Sequence, residues 1–302
     1  AHEIAKLAGV RIPAFAVEHQ FLVTDAIENL PKGMPTMRDP DHLVYYKQEI
    51  NSLVIGGYED NTIAFARNGI DPRFAQELLK ENFDRCEPLG LNAGKRTPVV
   101  NTVGVRNLIN GPIPYSADGD FVMGKVPELD NFFVSSGFLY GIAAGGGAGR
   151  AMAEWIIDGA PELNLWALDV RRFSFHHNTR HFMYSRAEEI YGKHYKLRMP
   201  GDEHETVRNI RHSPLYDKLR ANGAVYGSRA GWERPNWFAK EGDEAKDKPH
   251  FERSESNFFR RVGEEHHAVR ESVALIDQSS FSKFEVIGCD ALKTLQALAA
   301  AD

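Results

Sequence analysis

The stretch FFVSSGFLYGIAAGGGAGRAMAEWIIDG, from Phe132 to Gly159, offers chemistry most openly: a short apolar strand, a run of small residues and then a helix. Strand, tight turn and helix is also the arrangement that grips a dinucleotide pyrophosphate. That turn needs glycine at the first, third and sixth positions of GxGxxG, for the turn itself, for close backbone approach and for packing of helix on strand. Counted from Gly145 and Gly147 the sixth position is Arg150, and counted from Gly147 and Gly149 it is Met152, so the spacing fails. The strand-end acid that should hold a ribose roughly 20 residues later is missing, and the turn residues of DGAPELNL follow instead. What remains is a helix start whose free N–H groups carry partial positive charge, approached over small residues from Gly141 to Gly149. An anionic or electron-rich ring edge fits there, and the N1 and O2 edge of a reduced flavin is one such edge. Close packing of another helix on the glycines is an equal reading of the same residues.

Other reactive side chains point to less. His176 with His177, and His266 with His267, are adjacent pairs without the three- or four-residue helical spacing that brings two imidazoles to one ion, so no metal site is expected. Cys86 and Cys289 form neither a CxxC pair nor a disulfide framework, and read as buried apolar residues in a reducing compartment. Trp232 and Trp237 read as area buried at a domain junction, with Arg234 paired to an acid. His19, in EHQF, lies on a strand and by itself reads as a hydrogen-bonded sheet residue.

These residues must be carried by a mixed set of elements. EHQFLVTDAI alternates as a strand, and LVYYKQEINSLVIGGYED reads as two strands around Asn51 and Ser52, an antiparallel hairpin in which Tyr45 and Tyr46 face opposite sides. DPRFAQELLKENFDRC predicts a helix with Asp71 as N-cap, Pro72 at its first position, and Phe74, Leu78 and Phe83 toward a core. The 98–114 segment has no clear pattern. Beyond Gly159, RRFSFHHNTRHFMYSRAEEIYGKHY is basic and aromatic, with a helix in its second half. SPLYDKLRANGAVYG predicts a short helix from Ser213 and Pro214 to Gly223. KEGDEAKDKPHFERSESN is a charged surface loop, and EEHHAVRESVALIDQSSFSKFEVIG predicts a helix and then a strand.

With 302 residues and 26% charged side chains, the chain is long enough for one large domain or two smaller ones. Its net charge of -6 gives no global basic field, so neither nucleic acid nor an anionic membrane surface is an expected partner. No apolar run reaches the roughly 18 residues of a membrane span, and AHEIAKLAGVRIP lacks the apolar centre of a secretion signal. Both ends read as the interior of a longer polypeptide. HEIAKLAG is the end of a helix stopped at Gly9, and CDALKTLQALAAAD is a helix whose Leu292, Leu295 and Leu298 have nothing to cover them.

VEHQFLVTDAI, MPTMRDPDHLVYYKQE, GGYE and NGPIPYSADGDFVMGKVPELDNFFVSSGFLYGIAAGGGAGRAMAEWIIDG together resemble the second half of a glycine-oxidase-type (DAO-type) FAD domain of the dimethylglycine and sarcosine dehydrogenase family. LYDKLRANGAVYGSRAGWERPNWFA resembles that family's small central domain and its exit. VGEEHHAVRESVALIDQSSFSKFEVIGCDALKTLQALAAAD is similar to the opening of its folate-binding aminomethyltransferase domain. The resemblance covers nearly the whole chain. It implies an α+β (α/β) architecture in which residues 1–168 belong to the FAD domain with an antiparallel substrate sheet, 169–227 to the central domain and 228–302 to the start of the aminomethyltransferase-like domain. The family's dinucleotide motif and the histidine that carries FAD in many members would precede Ala1, and its folate-site aspartate would follow Asp302.

The activity so implied is oxidation of an N-methylated glycine, with hydride passing to FAD and the one-carbon unit to tetrahydrofolate or, as formaldehyde, to water. Electrons would leave to an electron-transfer flavoprotein or to oxygen. The resemblance places His19 and Tyr45 beside the amine. An imidazole of ordinary pKa, about 6.5, suits proton exchange there near neutrality. It also places Gly137, Tyr140, Gly141 and Ile142 along the pyrimidine edge of the isoalloxazine, with NGPIPYSADG from Asn110 as the loop before it, where many relatives have a shorter turn. The implied location is the cytoplasm in a bacterium or the mitochondrial matrix in a eukaryote. Two rivals remain: a non-enzymatic relative that regulates pyruvate dehydrogenase phosphatase by protein contact, which has no need of a proton-exchanging pair, and a stand-alone aminomethyltransferase, which would not need the flavoprotein-like half.

Overall fold

Side-chain alternation along Ala14–Thr24 (β1) decides the layout of the first part of the chain: Glu18, Gln20 and Leu22 face one side, Val17 and His19 the other. In the computed structural model, which describes residues 1–300, β1 joins Met37–Asp39 (β2), Val44–Glu49 (β3), Ser52–Gly57 (β4) and Val105–Ser116 (β5) in one antiparallel sheet. Its order is β2-β3-β4-β1-β5. The expected hairpin is present: β3 and β4 pair from Val44↔Gly57 to Glu49↔Ser52 around Ile50 and Asn51, with Ile50 at φ 56°. Pro112 and Pro114 fall in β5, the strand at the edge of the sheet, where a missing N–H is tolerated.

The helix His2–Leu7 (α1) ends at Ala8 with Gly9 at φ 71°, as its sequence predicts. The helix Phe83–Arg96 (α2) covers one face of the sheet, burying Cys86, Leu89 and Ala93 against Leu22, Val44, Tyr46, Leu53, Ile55 and Leu108. This helix starts 12 residues later than Asp71. Asp71 closes a single turn, accepting from Arg73 N and Phe74 N. Gln76 then takes φ 55°, and Leu79 N donates to Asn110 O beside β5. Sheet pairing therefore wins over the local capping signal, Asn82 becomes the N-cap by accepting from Arg85 N, and Leu78 and Phe83 are exposed rather than in the core.

The strands Val122–Lys125 (β6) and Phe133–Ser136 (β7) form a second antiparallel pair. Gly141–Asp158 (α3) follows, ending at Gly159 with φ 85° and burying Ala148, Ala151, Met152 and Trp155. Arg180–Lys193 (α4) is capped by Thr179, whose hydroxyl accepts from Phe182 N. It covers the other face of the five-stranded sheet, where Ala187, Ile190 and Tyr191 bury with Val17, Tyr58 and Tyr115.

The chain divides into two units, Ala1–Arg208 and Asn209–Asp302. In the second, the helix Tyr216–Ala221 (α5) begins later than Pro214, after a turn in which Ser213 O accepts from Tyr216 N, and Gly223 stops it at φ 90°. Ala224–Arg229 (β8) and Trp232–Phe238 (β9) form a hairpin, and buried Trp237 donates its indole N–H to Asp247. The Arg234 guanidinium lies over the Phe281 ring, 4.7 Å from its centroid, a cation–π contact where an ion pair was expected. Phe259–Glu271 (α6) and Ala291–Leu298 (α7) are the remaining helices; the final two residues of CDALKTLQALAAAD lie outside the described residues. The strand expected in FSKFEVIG is absent: no described segment pairs with it, and Phe284 and Ile287 are exposed. Cys289 is exposed rather than buried, while Cys86 is buried. Among the described residues no helix is long and apolar enough to cross a membrane.

A Cβ on Gly57 would overlap the Leu43 carbonyl and the Leu89 side chain, because α2 and the start of β3 close directly over this position. Gly57→Ala is therefore expected to cost about 1–3 kcal/mol, the usual range for overpacking. Urea unfolding of the two proteins measures it, and equal midpoints would contradict the close packing.

Candidate active site

His19 and Tyr45 are brought together on the α4 side of the sheet. Tyr45 stands opposite Gly56 in the β3–β4 pair, and its phenol lies so close over that glycine that a Cβ there would overlap the ring. Crossing Gly56 lets the Tyr45 hydroxyl reach His19 Nε2 at 3.1 Å. Its neighbour Tyr46 turns to the other face, as strand alternation predicts, and donates to the Ala93 carbonyl at 3.0 Å. From α4, the Tyr191 hydroxyl lies 2.9 Å from His19 Nδ1 and donates to Glu59 Oε2 at 2.6 Å. Glu59 also accepts from Arg85 Nε at 3.0 Å, and Arg85 Nη1 donates to Glu18 Oε2 at 2.9 Å, where Asn110 Nδ2 donates as well.

These bonds fix the histidine tautomer. A phenol has a single proton; the Tyr191 hydroxyl donates its one hydrogen bond to the Glu59 carboxylate, so its oxygen accepts from His19 Nδ1–H. The lone pair is then on Nε2, which accepts from Tyr45. Burial first, and then His194 and Arg85, lower the His19 pKa to about 4. The imidazole of ordinary pKa expected from the sequence is thus replaced by one that is neutral at pH 7, because α4 and the tyrosines crowd it and take away much of its water. Burial also raises the pKa of Tyr45, with Tyr195 and Glu59 adding to it, so the phenol is neutral too.

Around this pair stands a group of rings: Tyr58 lies 5.1 Å from His19, 4.4 Å from His194 and 4.5 Å from Tyr195, centroid to centroid. The Arg38 guanidinium covers Tyr195 at 3.7 Å. His194 connects the cluster to α3, since its Nε2 is hydrogen-bonded to the hydroxyl of Tyr140, the N-cap residue of that helix. Gly137, at φ 78°, makes the turn out of β7, Gly141 opens the helix, and Ile142 is fully exposed. No side chain caps the helix start, and Gly145, Gly146, Gly147 and Gly149 have open space where a Cβ would stand. An uncapped first turn beside an open glycine face fits the electron-rich edge of a flavin ring.

The NGPIPYSADG segment is not a loop throughout. Asn110–Ser116 complete β5, with Asn110 buried against Glu18, and the turn is confined to the residues after Ser116, where Asp118 pairs with Arg172. The pairing of Gln20 with Asn110 and of Ala14 with Ser116 extends the strand past its prolines. Sequence reasoning missed Gly56, Tyr58, Glu59, Tyr191 and His194. The double glycine of GGYE, at the end of a predicted strand, was the available signal for the first three; Tyr191 and His194 carry no local signal. Among the described residues no group of three or more His, Cys, Asp or Glu side chains could hold a metal ion.

Residues 1–155 match the FAD dependent oxidoreductase family, 158–213 the FAD dependent oxidoreductase central domain, and 215–302 the GCVT N-terminal domain. The chain is 35% identical to 4-methylaminobutanoate oxidase (formaldehyde-forming) of Paenarthrobacter nicotinovorans, over 99% of this chain and 36% of that protein. It is 34% identical to mitochondrial sarcosine dehydrogenase of Mus musculus, over 100% of this chain and 35% of that protein. Identity to mitochondrial dimethylglycine dehydrogenase of Homo sapiens is 34%, over 99% and 35%. Identity to the mitochondrial pyruvate dehydrogenase phosphatase regulatory subunit of Mus musculus is 35%, over 95% and 33%. The chain thus spans about a third of the length of these curated relatives.

His177 and His194 share the behaviour of His19, burial lowering each to about 4. Imidazoles of an unfolded chain titrate near about 6.5, so between that pH and 4 the unfolded chain binds protons that the folded one does not. The stability is fully present above about pH 6.5 and is lost as pH falls through 4. The melting temperature is expected to drop steeply across this window, and less steeply in a His19→Gln variant; parallel curves would contradict a buried neutral His19.

Proposed function

The chain belongs to the FAD dependent oxidoreductase family, and from that premise we propose that it serves the oxidative demethylation of an N-methylated glycine, dimethylglycine or sarcosine. The observation that carries this reading is the hydrogen-bonded Tyr45–His19–Tyr191 set, joined through His194 to Tyr140 at the uncapped start of α3. Gly137, Tyr140, Gly141 and Ile142 would hold the pyrimidine edge of FAD. The chemistry FAD supplies when bound is acceptance of a hydride from the N-methyl carbon, leaving an iminium that tetrahydrofolate captures or water hydrolyses to formaldehyde.

This chain's residues prepare the amine. Carbon–hydrogen cleavage needs a free nitrogen lone pair, so the site must favour the neutral amine over the ammonium. Tyr45, uncharged and hydrogen-bonded to an uncharged His19, presents its oxygen as an acceptor for the ammonium proton. The aromatic walls of Tyr58 and Tyr195 exclude water from the methyl groups, and Arg38 at their edge gives a cation for the substrate carboxylate. The GCVT N-terminal domain match supports tetrahydrofolate as the acceptor of the one-carbon unit. Electron-transfer flavoprotein as the electron acceptor follows from the family resemblance, as does a mitochondrial matrix or bacterial cytoplasmic setting.

A regulatory role by protein contact is the second reading, favoured by the likeness to the phosphatase regulatory subunit. It gives no reason for a histidine with both ring nitrogens engaged by tyrosines. Full-length protein mixed anaerobically with dimethylglycine or sarcosine is expected to lose its oxidised-flavin absorbance. His19→Ala should slow that loss by about 10²–10⁴-fold, the usual scale of general acid–base assistance. Protein that purifies without flavin and is indifferent to both amines would support the regulatory reading instead.

A further inference from the structure

Tyr45, His19, Tyr191 and Glu59 are joined end to end by hydrogen bonds of 3.1, 2.9 and 2.6 Å, and the run ends in a cluster of unbalanced charge. Glu59 and Glu18 share the guanidinium of Arg85, and the Glu59 and Arg85 side chains are each 4% exposed. Two carboxylates on one cation leave this buried cluster one negative charge in excess. Burial makes such an excess costly, and one proton on a carboxylate removes it. Burial accordingly raises the Glu59 pKa, against the hydrogen bonds from Tyr191 and Arg85 that hold it down.

The groups facing His19 are Tyr45 from β3, Tyr58 beyond β4, Tyr191 from α4, His194 beyond α4, and Arg85 from α2. None of them is an anion at neutral pH; the nearest one along the hydrogen bonds is Glu59. Resting on the amine substrate proposed above, we propose that Tyr45, His19 and Tyr191 form a proton wire that carries the ammonium proton of the bound substrate to Glu59. The Tyr45 oxygen takes the proton from the substrate nitrogen while its own proton passes to His19 Nε2. The proton on His19 Nδ1 passes to the Tyr191 oxygen, and that of Tyr191 passes to Glu59 Oε2. One bond to hydrogen forms for each that breaks, and no electrons are transferred.

At the end of the step the amine and Glu59 are both neutral, and His19 has become its other tautomer. The imidazole never has to become a cation, which suits a half-buried histidine with no anion in contact with it. Tyr191 and Glu59 act through His19 and are positioning residues, and neither needs to touch the substrate.

The test uses full-length FAD-loaded protein kept reduced with dithionite, so that bound amine is not oxidised. Dimethylglycine brings an ammonium proton; betaine, with three methyl groups, brings none. Calorimetry reads binding, and difference infrared spectroscopy of the same sample reads carboxyl protonation. Dimethylglycine is expected to produce the carbonyl band of a protonated carboxyl, and betaine is not. Glu59→Gln and Tyr191→Phe should each abolish the band with flavin content and dimethylglycine binding retained; Tyr191→Phe suffices if Glu59→Gln does not fold. A band that persists in either variant, a band with betaine, or binding of dimethylglycine without a band overturns the wire alone. Failure of dimethylglycine and sarcosine to bind overturns the amine reading, and the wire with it.

Discussion

The Tyr45 phenol can reach His19 only because the residue beneath it, Gly56, has no side chain. Three strands must hold register for this contact: Tyr45 stands opposite Gly56 across β3 and β4, and Gly56 stands opposite Phe21 across β4 and β1, two residues from His19. A slip of one residue in β3 would exchange Tyr45 for Tyr46 and turn the packing residue toward the site. The two-residue turn at Ile50 and Asn51 sets that register from one end of the hairpin.

The same sheet serves two different purposes on its two faces. Against α2 the contacts are apolar, built on Leu53, Ile55, Leu89 and their neighbours. Against α4 the buried surface is aromatic and titratable, and the Tyr45 and Tyr191 hydroxyls find their partners in His19 and Glu59. Arg85 links the faces. It leaves α2 to meet Glu59 and Glu18, so the charged end of the network is anchored in the helix that makes the apolar core. Asn110 from the edge strand closes on Glu18 as well, donating from Nδ2 at 2.9 Å.

Much of this was legible wherever the signal was local. Alternation marks β1 and the β3–β4 hairpin, and Gly9, Gly159 and Gly223 stop their helices at positive φ. The helix from Asp71 failed because an isolated capping signal competes with a sheet edge that only the fold supplies, through Leu79 and Asn110. His19 and Tyr45 came from family resemblance, and the structure joins them by a hydrogen bond. Tyr191 and Glu59 lie 132 residues apart, so no window of sequence could pair them. Nor could it reveal the neutral state of His19, which follows from burial beneath a helix that enters the fold much later in the chain.

The dependence of the site on the approach of Tyr45 to Gly56 is tested most directly by the rate of anaerobic flavin reduction by dimethylglycine in full-length Gly56→Ala protein. A methyl group there pushes the phenol off His19, and misplacement of that order can cost about 10²-fold in rate. The account expects a loss on this scale with flavin content unchanged. An undiminished rate would contradict it.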